Sequence, residues 1–358
     1  MNELTTPPGA AAGDRVLTPL ATASERKGLG DVAQRLTELR DWLADDLQVL
    51  ERDLAGSVRE QRTLSHKAAV HLIAQPGKRI RPLVTILSSR LAGRIPEEAR
   101  HLAVACELVH AATLLHDDVL DMGTERRGAP TARMVYGNSA SVLGGDHLLL
   151  EALRRVRRTG RLDLLDGVLE VIEQMVTAEA LQLERRERFE PRRDLYMEVA
   201  EGKTAVLFSW GMASGARVGG LSDDQADVLW GIGRDLGLAF QAVDDCLDLQ
   251  PNAAEIGKDV FADIREGKLT LPLIIACDKQ PALIATLAEA AHDEALLASP
   301  ERAEALLEQV RQTGCLDATR AEARAWSDRA VSALATLPDS EARAALDAII
   351  RTAVERIH

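Results

Sequence analysis

The chain has 358 residues, 46% of them apolar but only 3% aromatic, and a formal net charge of −13. That balance excludes a general nucleic-acid binder, which needs a positive footprint, so an anionic ligand has to be held by metals or by a few placed cations. The four cysteines, Cys106, Cys246, Cys277 and Cys315, form no C-x-x-C pair, which excludes a disulfide framework or a zinc site and fits a reducing compartment.

Residues 1–28 are rich in Pro, Gly, Ala and Thr without periodicity and are expected to form a flexible tail. VLTPLATA is too short, and too interrupted by Pro19, for a secretory segment, and Glu3, Asp14 and Glu25 oppose a transit peptide. No apolar run approaches the ~18 residues of a membrane span. The expectation is a soluble, cytoplasmic protein.

From Asp31 onward the pattern is helical. Leu36, Leu39, Leu43, Leu47 and Leu50 recur at steps of three and four, the mark of an amphipathic helix. The breaks are short: QPGKRIRP, AGRIP, GTERRGAP, RTGR, ERFEP, GGLSDD and PNAAEIGKDVFADIREGK. No run of alternating β-branched residues appears, and no G-x-G-x-x-G follows a strand. Ser299-Pro300-Glu301 reads as a helix start, with Ser as cap and Pro at the first position, and Asp339 and Ser340 open the last helix. The predicted fold class is all-α, a single large helical bundle over residues 29–358, on the order of ten helices or more.

Two of the predicted helices end in the same string. Asp117, Asp118 and Asp121 lie in LLHDDVLDM, and Asp244, Asp245 and Asp248 lie in QAVDDCLDL; each reads D-D-x-x-D. Residues four apart share a helix face, with Cβ atoms about 6 Å apart. A lone D-D-x-x-D is most simply a solvated acidic helix end. Here Leu114, Leu115, Val119 and Leu120 surround one copy, and Ala242, Val243 and Leu247 the other. Carboxylates in such surroundings are costly unless a positive charge compensates them, and the expected compensator is Mg²⁺, which takes oxygen ligands.

The cations complete the pattern. Lys78 and Arg81 lie in PGKRIRP, Arg126 and Arg127 follow the first cluster, and Lys203, Lys258 and Lys268 lie in EGKTAVLF, IGKDV and REGKLTLP. Any one of these is most often a solubilising surface charge. Together, in an acidic chain, they describe sites for diphosphates, because Arg suits bidentate phosphate oxygens and Lys acts as a point charge. His110 lies seven residues before Asp117, two turns along the same face, and is therefore expected in the same cavity. His116 lacks that support and reads as structural.

The strings GKRIRP, HAATLLHDDVLDMGTERRGAPTA, GNSASVLGGD, EGKTAVLF, FQAVDDCLDL and GK…DIREGKLTLP closely resemble, in the same order, those of the trans-isoprenyl diphosphate synthases (polyprenyl synthetases), most closely the medium- and long-chain members. The resemblance spans Asp31 to His358. It implies an isoprenoid synthase fold with a central active-site cavity, a homodimer, and Mg²⁺-dependent head-to-tail condensation of isopentenyl diphosphate with an allylic diphosphate. It implies that Asp117, Asp118 and Asp121, and Asp244, Asp245 and Asp248, form the two metal-binding motifs. Arg126 matches an allylic-diphosphate contact, and Lys78, Arg81, His110 and Arg127 match the isopentenyl diphosphate pocket. Lys203, Thr204, Gln241, Lys258 and Lys268 match further contacts around the allylic substrate.

Ala112 and Thr113, one turn before Asp117, are implied to line the tunnel for the growing chain. Ala112 is small where short-chain members carry bulk, so the expected product is longer than farnesyl diphosphate. Two departures stand out: Pro76 replaces the first Gly of the usual G-G-K-R, and Asp259 and Phe261 replace Pro and a small residue in the last linker. The rival readings are a class I terpenoid cyclase and a non-catalytic subunit of a heteromeric synthase. Against the first, the second motif is Asp-rich, not of N-S-E type; against the second, the motifs retain their Asp and Arg.

Overall fold

The computed structural model describes residues 34, 37–38, 40–58, 63–75, 77–186, 188–249, 262–293 and 299–355. Pro76, Lys258, Asp259 and Phe261, together with the predicted tail, lie outside them. The described residues are almost wholly α-helical, as the leucine spacing predicts. They divide into two compact units, Met1–Leu83 with Arg100–Arg155, and Val84–Ala99 with Val156–His358.

In chain order the first helices are α1 (Ala44–Gly56), α2 (Leu64–Ile73), α3 (Ile80–Arg90) and α4 (Glu97–Leu120). A short hairpin, β1 (Glu125–Arg126) with β2 (Ala129–Pro130), leads to α5 (Ala132–Tyr136) and α6 (Asn138–Arg158). In the first unit α1 turns Leu47, Leu50 and Leu54 inward, each at most 1% exposed. Burying a leucine contributes roughly 1.5–3 kcal/mol, so this stripe is what anchors α1. Helix α6 approaches α2 and α4 closely because Gly144 and Gly145 have no Cβ. A Cβ at Gly144 would lie 3.0 Å from Ser65 O, and one at Gly145 2.2 Å from His116 Nε2. His116 Nε2 donates to Val142 O at 3.1 Å, the structural role expected of it.

The second unit continues with α7 (Leu162–Arg185), α8 (Arg193–Ala200), a π-helical segment (Glu201–Ala205), α9 (Val206–Gly219) and α10 (Asp223–Leu247). Then come α11 (Ala262–Arg265), α12 (Leu271–Lys279), α13 (Leu283–His292), α14 (Pro300–Gln312), α15 (Cys315–Leu334) and α16 (Glu341–Glu355). Helix α9 is buried on nearly every face, as a helix apolar all round must be. Ser222 and Gln225 form a capping box that starts α10. Ser340 caps Arg343 N–H at 3.2 Å, as predicted. Ser299 does precede Pro300, but its hydroxyl makes no cap bond.

Glycines set the spacing around the π-helical segment. A Cβ at Gly202 would lie 2.8 Å from Ala178 Cβ on α7, and one at Gly237 would lie 2.4 Å from Ala205 Cα. The segment is thus wedged against α7 on one side and α10 on the other.

Candidate active site

Each Asp cluster begins on the last turn of a long helix, α4 or α10, and its third aspartate follows the helix end. The helix dipole is negative there, so burial and dipole both work against three carboxylates. The first two aspartates divide in the same way in both places, and the third does not. Asp117, Asp121 and Asp244 are half-buried, whereas Asp118 and Asp245 are buried at 1% and 3% exposure, and Asp248 is buried at the C-cap of α10.

In the first unit, Asp118 Oδ1 accepts from Arg126 Nε at 2.9 Å and lies 2.8 Å from Arg126 Nη2. The GTERRGAP string, predicted as a plain loop, pairs Glu125 with Pro130 and Arg126 with Ala129 across a two-residue turn. Both turn residues, Arg127 and Gly128, have positive φ, at 55° and 76°, the requirement of a type I′ hairpin turn. A non-glycine residue there is strained, and such strain collects at functional sites. It places Arg127 against the GKR string: a Cβ on Gly77 would lie 2.9 Å from both Arg127 Nη1 and Arg79 Nη1.

Arg79, which the sequence does not single out from its basic neighbours, is the anchor of that string. It is 4% exposed and has φ 41°. It donates to Glu107 Oε1 at 2.5 Å, Glu51 Oε1 at 3.1 Å and Ile73 O at 2.9 Å. With Arg79 turned inward, Lys78 is exposed and Arg81 half-buried. Burial, then the charges of Arg81, Arg127, Arg126 and Arg79, hold His110 well below its ordinary pKa. Burial also lowers the Arg127 pKa, against the attraction of Glu107. Arg81, Arg126 and Arg127 thus bring positive charge to the surroundings of His110. Ala112 is fully buried, and Thr113 Oγ1 donates to His110 O at 2.8 Å.

In the second unit a cavity of about 260 Å³ is lined by Lys203, Thr204, Gln241, Asp245, Asp263 and Lys268, among others, with Tyr196 and Phe189. The π-helical segment supplies Lys203 and Thr204; such segments recur at functional sites. Lys203 pairs with Glu179 and donates to Gln182 Oε1 at 3.1 Å. Lys268 Nζ lies 2.5 Å from Glu266 Oε2. Asp245 accepts from Gln241 Nε2 at 2.8 Å, the Tyr196 hydroxyl at 2.7 Å and Leu271 N–H at 3.3 Å. Burial, then the charge of Asp263, pushes its pKa up to about 7, while the bonds from Gln241 and Tyr196 oppose the rise. Tyr196 is the site residue that the sequence reading misses. Its signal was there: one of only two tyrosines, seven residues before Lys203.

Among the described residues no three Asp, Glu, His or Cys side chains close on a common metal point. The donors fit Mg²⁺ nonetheless, because Mg²⁺ binds through one or two carboxylates plus substrate phosphate oxygens. Among those residues, too, no helix is long and apolar enough to cross a membrane.

The profile of the family described as polyprenyl synthetase matches residues 62–310. The chain is 33% identical to the octaprenyl diphosphate synthase of Escherichia coli over 325 residues, covering 90% of this chain and 99% of that one. Its fold is similar to a decaprenyl diphosphate synthase from Rhodobacter capsulatus, with a TM-score of 0.82, 35% identity, and 90% and 99% of the two chains covered. It is also similar to a polyprenyl synthase from Caulobacter crescentus complexed with calcium and isoprenyl diphosphate, with a TM-score of 0.80, 31% identity, and 98% and 100% covered.

Proposed function

The chain belongs to the polyprenyl synthetase family and is a prenyltransferase, and from that premise we propose that it joins isopentenyl diphosphate head to tail with an allylic diphosphate in a Mg²⁺-dependent reaction. The product on this reading is a trans-polyprenyl diphosphate longer than farnesyl diphosphate. The relatives named for octaprenyl and decaprenyl products support that length, as does the small side chain of Ala112 at the position the resemblance assigns to the tunnel wall. The observation that carries the proposal is Asp118, on the acidic end of α4, holding Arg126, one of the guanidinium groups that act on His110.

Lys78, Arg81, His110 and Arg127 are assigned to the isopentenyl diphosphate. Arg126, held by Asp118, is assigned to the allylic diphosphate together with Lys203, Lys268 and Lys258, the last outside the described residues. Asp117, Asp121, Asp244 and Asp248, from the two Asp-rich motifs, are assigned as the carboxylates for Mg²⁺. Asp118 and Asp245 orient their neighbours.

The allylic C–O bond breaks, the isopentenyl double bond attacks the resulting cation, and the released diphosphate takes the proton that is lost. Bound Mg²⁺ supplies Lewis-acid stabilisation of the leaving group. Arg126, Lys203 and Lys268 hold charge where it develops. Phe189, Leu181, Leu195, Val199, Leu269 and Ile274 line the cavity and exclude the water that would quench a cation.

A Mg²⁺ titration of isopentenyl diphosphate consumption tests this. Asp117→Asn and Asp244→Asn should each raise the Mg²⁺ requirement. Consumption by a chelated sample equal to that of an untreated one contradicts the assignment.

Homodimer formation is part of the same proposal. On α7, Leu162, Leu169 and Val176 are 72%, 47% and 64% exposed, at the seven-residue spacing of a helix-pairing seam. A second copy covers them on this reading, within a single catalytic region, residues 29–358, of a cytoplasmic protein.

A further inference from the structure

We infer that Tyr196 is a positioning residue for Thr204, acting through Asp245 and Gln241; the inference rests on the prenyl-transfer reading above. The Tyr196 hydroxyl and Leu271 N–H donate to Asp245 Oδ2 at 2.7 and 3.3 Å. Gln241 Nε2 donates to Asp245 Oδ1 at 2.8 Å, and Thr204 Oγ1 donates to Gln241 Oε1 at 2.8 Å. All four side chains line one cavity.

The polarity of this chain follows from donor and acceptor chemistry. In its ionised form Asp245 only accepts, and the amide nitrogen of Gln241 then faces it, as it does in the structure. Its carbonyl oxygen then faces Thr204, which has to place its single hydroxyl proton there. Lone pairs are what remain on Thr204 Oγ1 for the cavity. An amide that could be turned over and a hydroxyl that could rotate thus have one setting each. A cation forming beside Thr204 meets electron density in place of a proton. Such a dipole stabilises charge without reorganising as the charge appears. Tyr196 contributes by fixing the carboxylate: with Oδ2 held by the phenol and by the backbone of α12, Oδ1 is left for Gln241.

The test is a double-mutant cycle on the full chain, read as kcat, KM for each diphosphate, Mg²⁺ half-saturation and melting temperature. Tyr196→Phe should lower kcat about tenfold, the size of one lost hydrogen bond, with KM and Mg²⁺ half-saturation unchanged. In a Thr204→Val background the same change should have no further effect, because residues acting as a unit are non-additive. Asp245→Asn is the second variant. Its new amide nitrogen would turn the Gln241 amide over and present an N–H to Thr204, so it should lower kcat in the wild-type background and not in Thr204→Val. Equal losses in both backgrounds, or a lowered melting temperature with kcat unchanged, overturn the relay. A wild-type protein without prenyl transfer overturns instead the reading on which the relay rests.

Discussion

Asp118 and Asp245, the second aspartates of their two clusters, are both buried and both turned onto the protein, one onto Arg126 and the other onto Gln241 and Tyr196. The D-D-x-x-D string therefore holds two kinds of carboxylate. The first and last of the leading cluster are half-buried, and the middle one is buried and holds Arg126. A buried carboxylate engaged by a guanidinium or by several donors already has its compensation.

The division predicts different kinetics for neighbouring substitutions. Asp118→Asn should raise KM for the allylic diphosphate about tenfold, from one weakened charge-assisted bond to Arg126, and leave the Mg²⁺ half-saturation alone. Asp117→Asn should move the Mg²⁺ half-saturation. Titrations of both variants check this, and a matching Mg²⁺ shift in the two would contradict it.

Product length is assigned to the wall one turn before Asp117. On the proposed reading Ala112 belongs to the tunnel wall, and a large side chain there would take space the growing chain uses. Ala112→Tyr should shorten the product seen by chromatography. Unchanged length would remove Ala112 from the tunnel.

Gly237 tests the seat of the π-helical segment. With a Cβ there 2.4 Å from Ala205 Cα, Gly237→Ala has to push the segment away from α10, carrying Thr204 from Gln241. The expected cost is about 1–3 kcal/mol of stability, together with a fall in kcat. Thermal unfolding and steady-state rates measure the two effects.

Acid sensitivity follows from His110. Burial and the surrounding arginines keep its folded pKa well below the ordinary value of about 6.5. Between those two pKa values the unfolded chain binds more protons. The stability linked to His110 is therefore full above about pH 6.5 and is lost as pH falls toward the folded pKa. Melting temperatures at about pH 7.5 and about pH 5.5 should fall more for the wild type than for His110→Asn. A difference between the two proteins that does not change with pH contradicts the depressed pKa.

The helices were legible because their signal is repeated: Leu47, Leu50 and Leu54 mark one face of α1 three times over. The Asp clusters were legible because carboxylates among apolar residues demand a reason. The hairpin at Glu125–Pro130 was not, since two residues per strand leave no alternation to read. Nor was the π-helical segment, whose altered bonding leaves the surrounding pattern helical. Arg79 looked like Lys78 and Arg81; what separates it is its pairing with Glu51 and Glu107, each 28 positions away. The sequence marks Tyr196 by its rarity and its place before Lys203, but not its partner Asp245, which lies 49 positions on.

The central claim is best tested by the product that the purified chain makes alone from isopentenyl diphosphate, an allylic primer and Mg²⁺. Chromatography should show a linear prenyl diphosphate longer than farnesyl diphosphate, formed with release of inorganic diphosphate. A cyclic hydrocarbon, or no reaction until a second protein is added, would contradict the account.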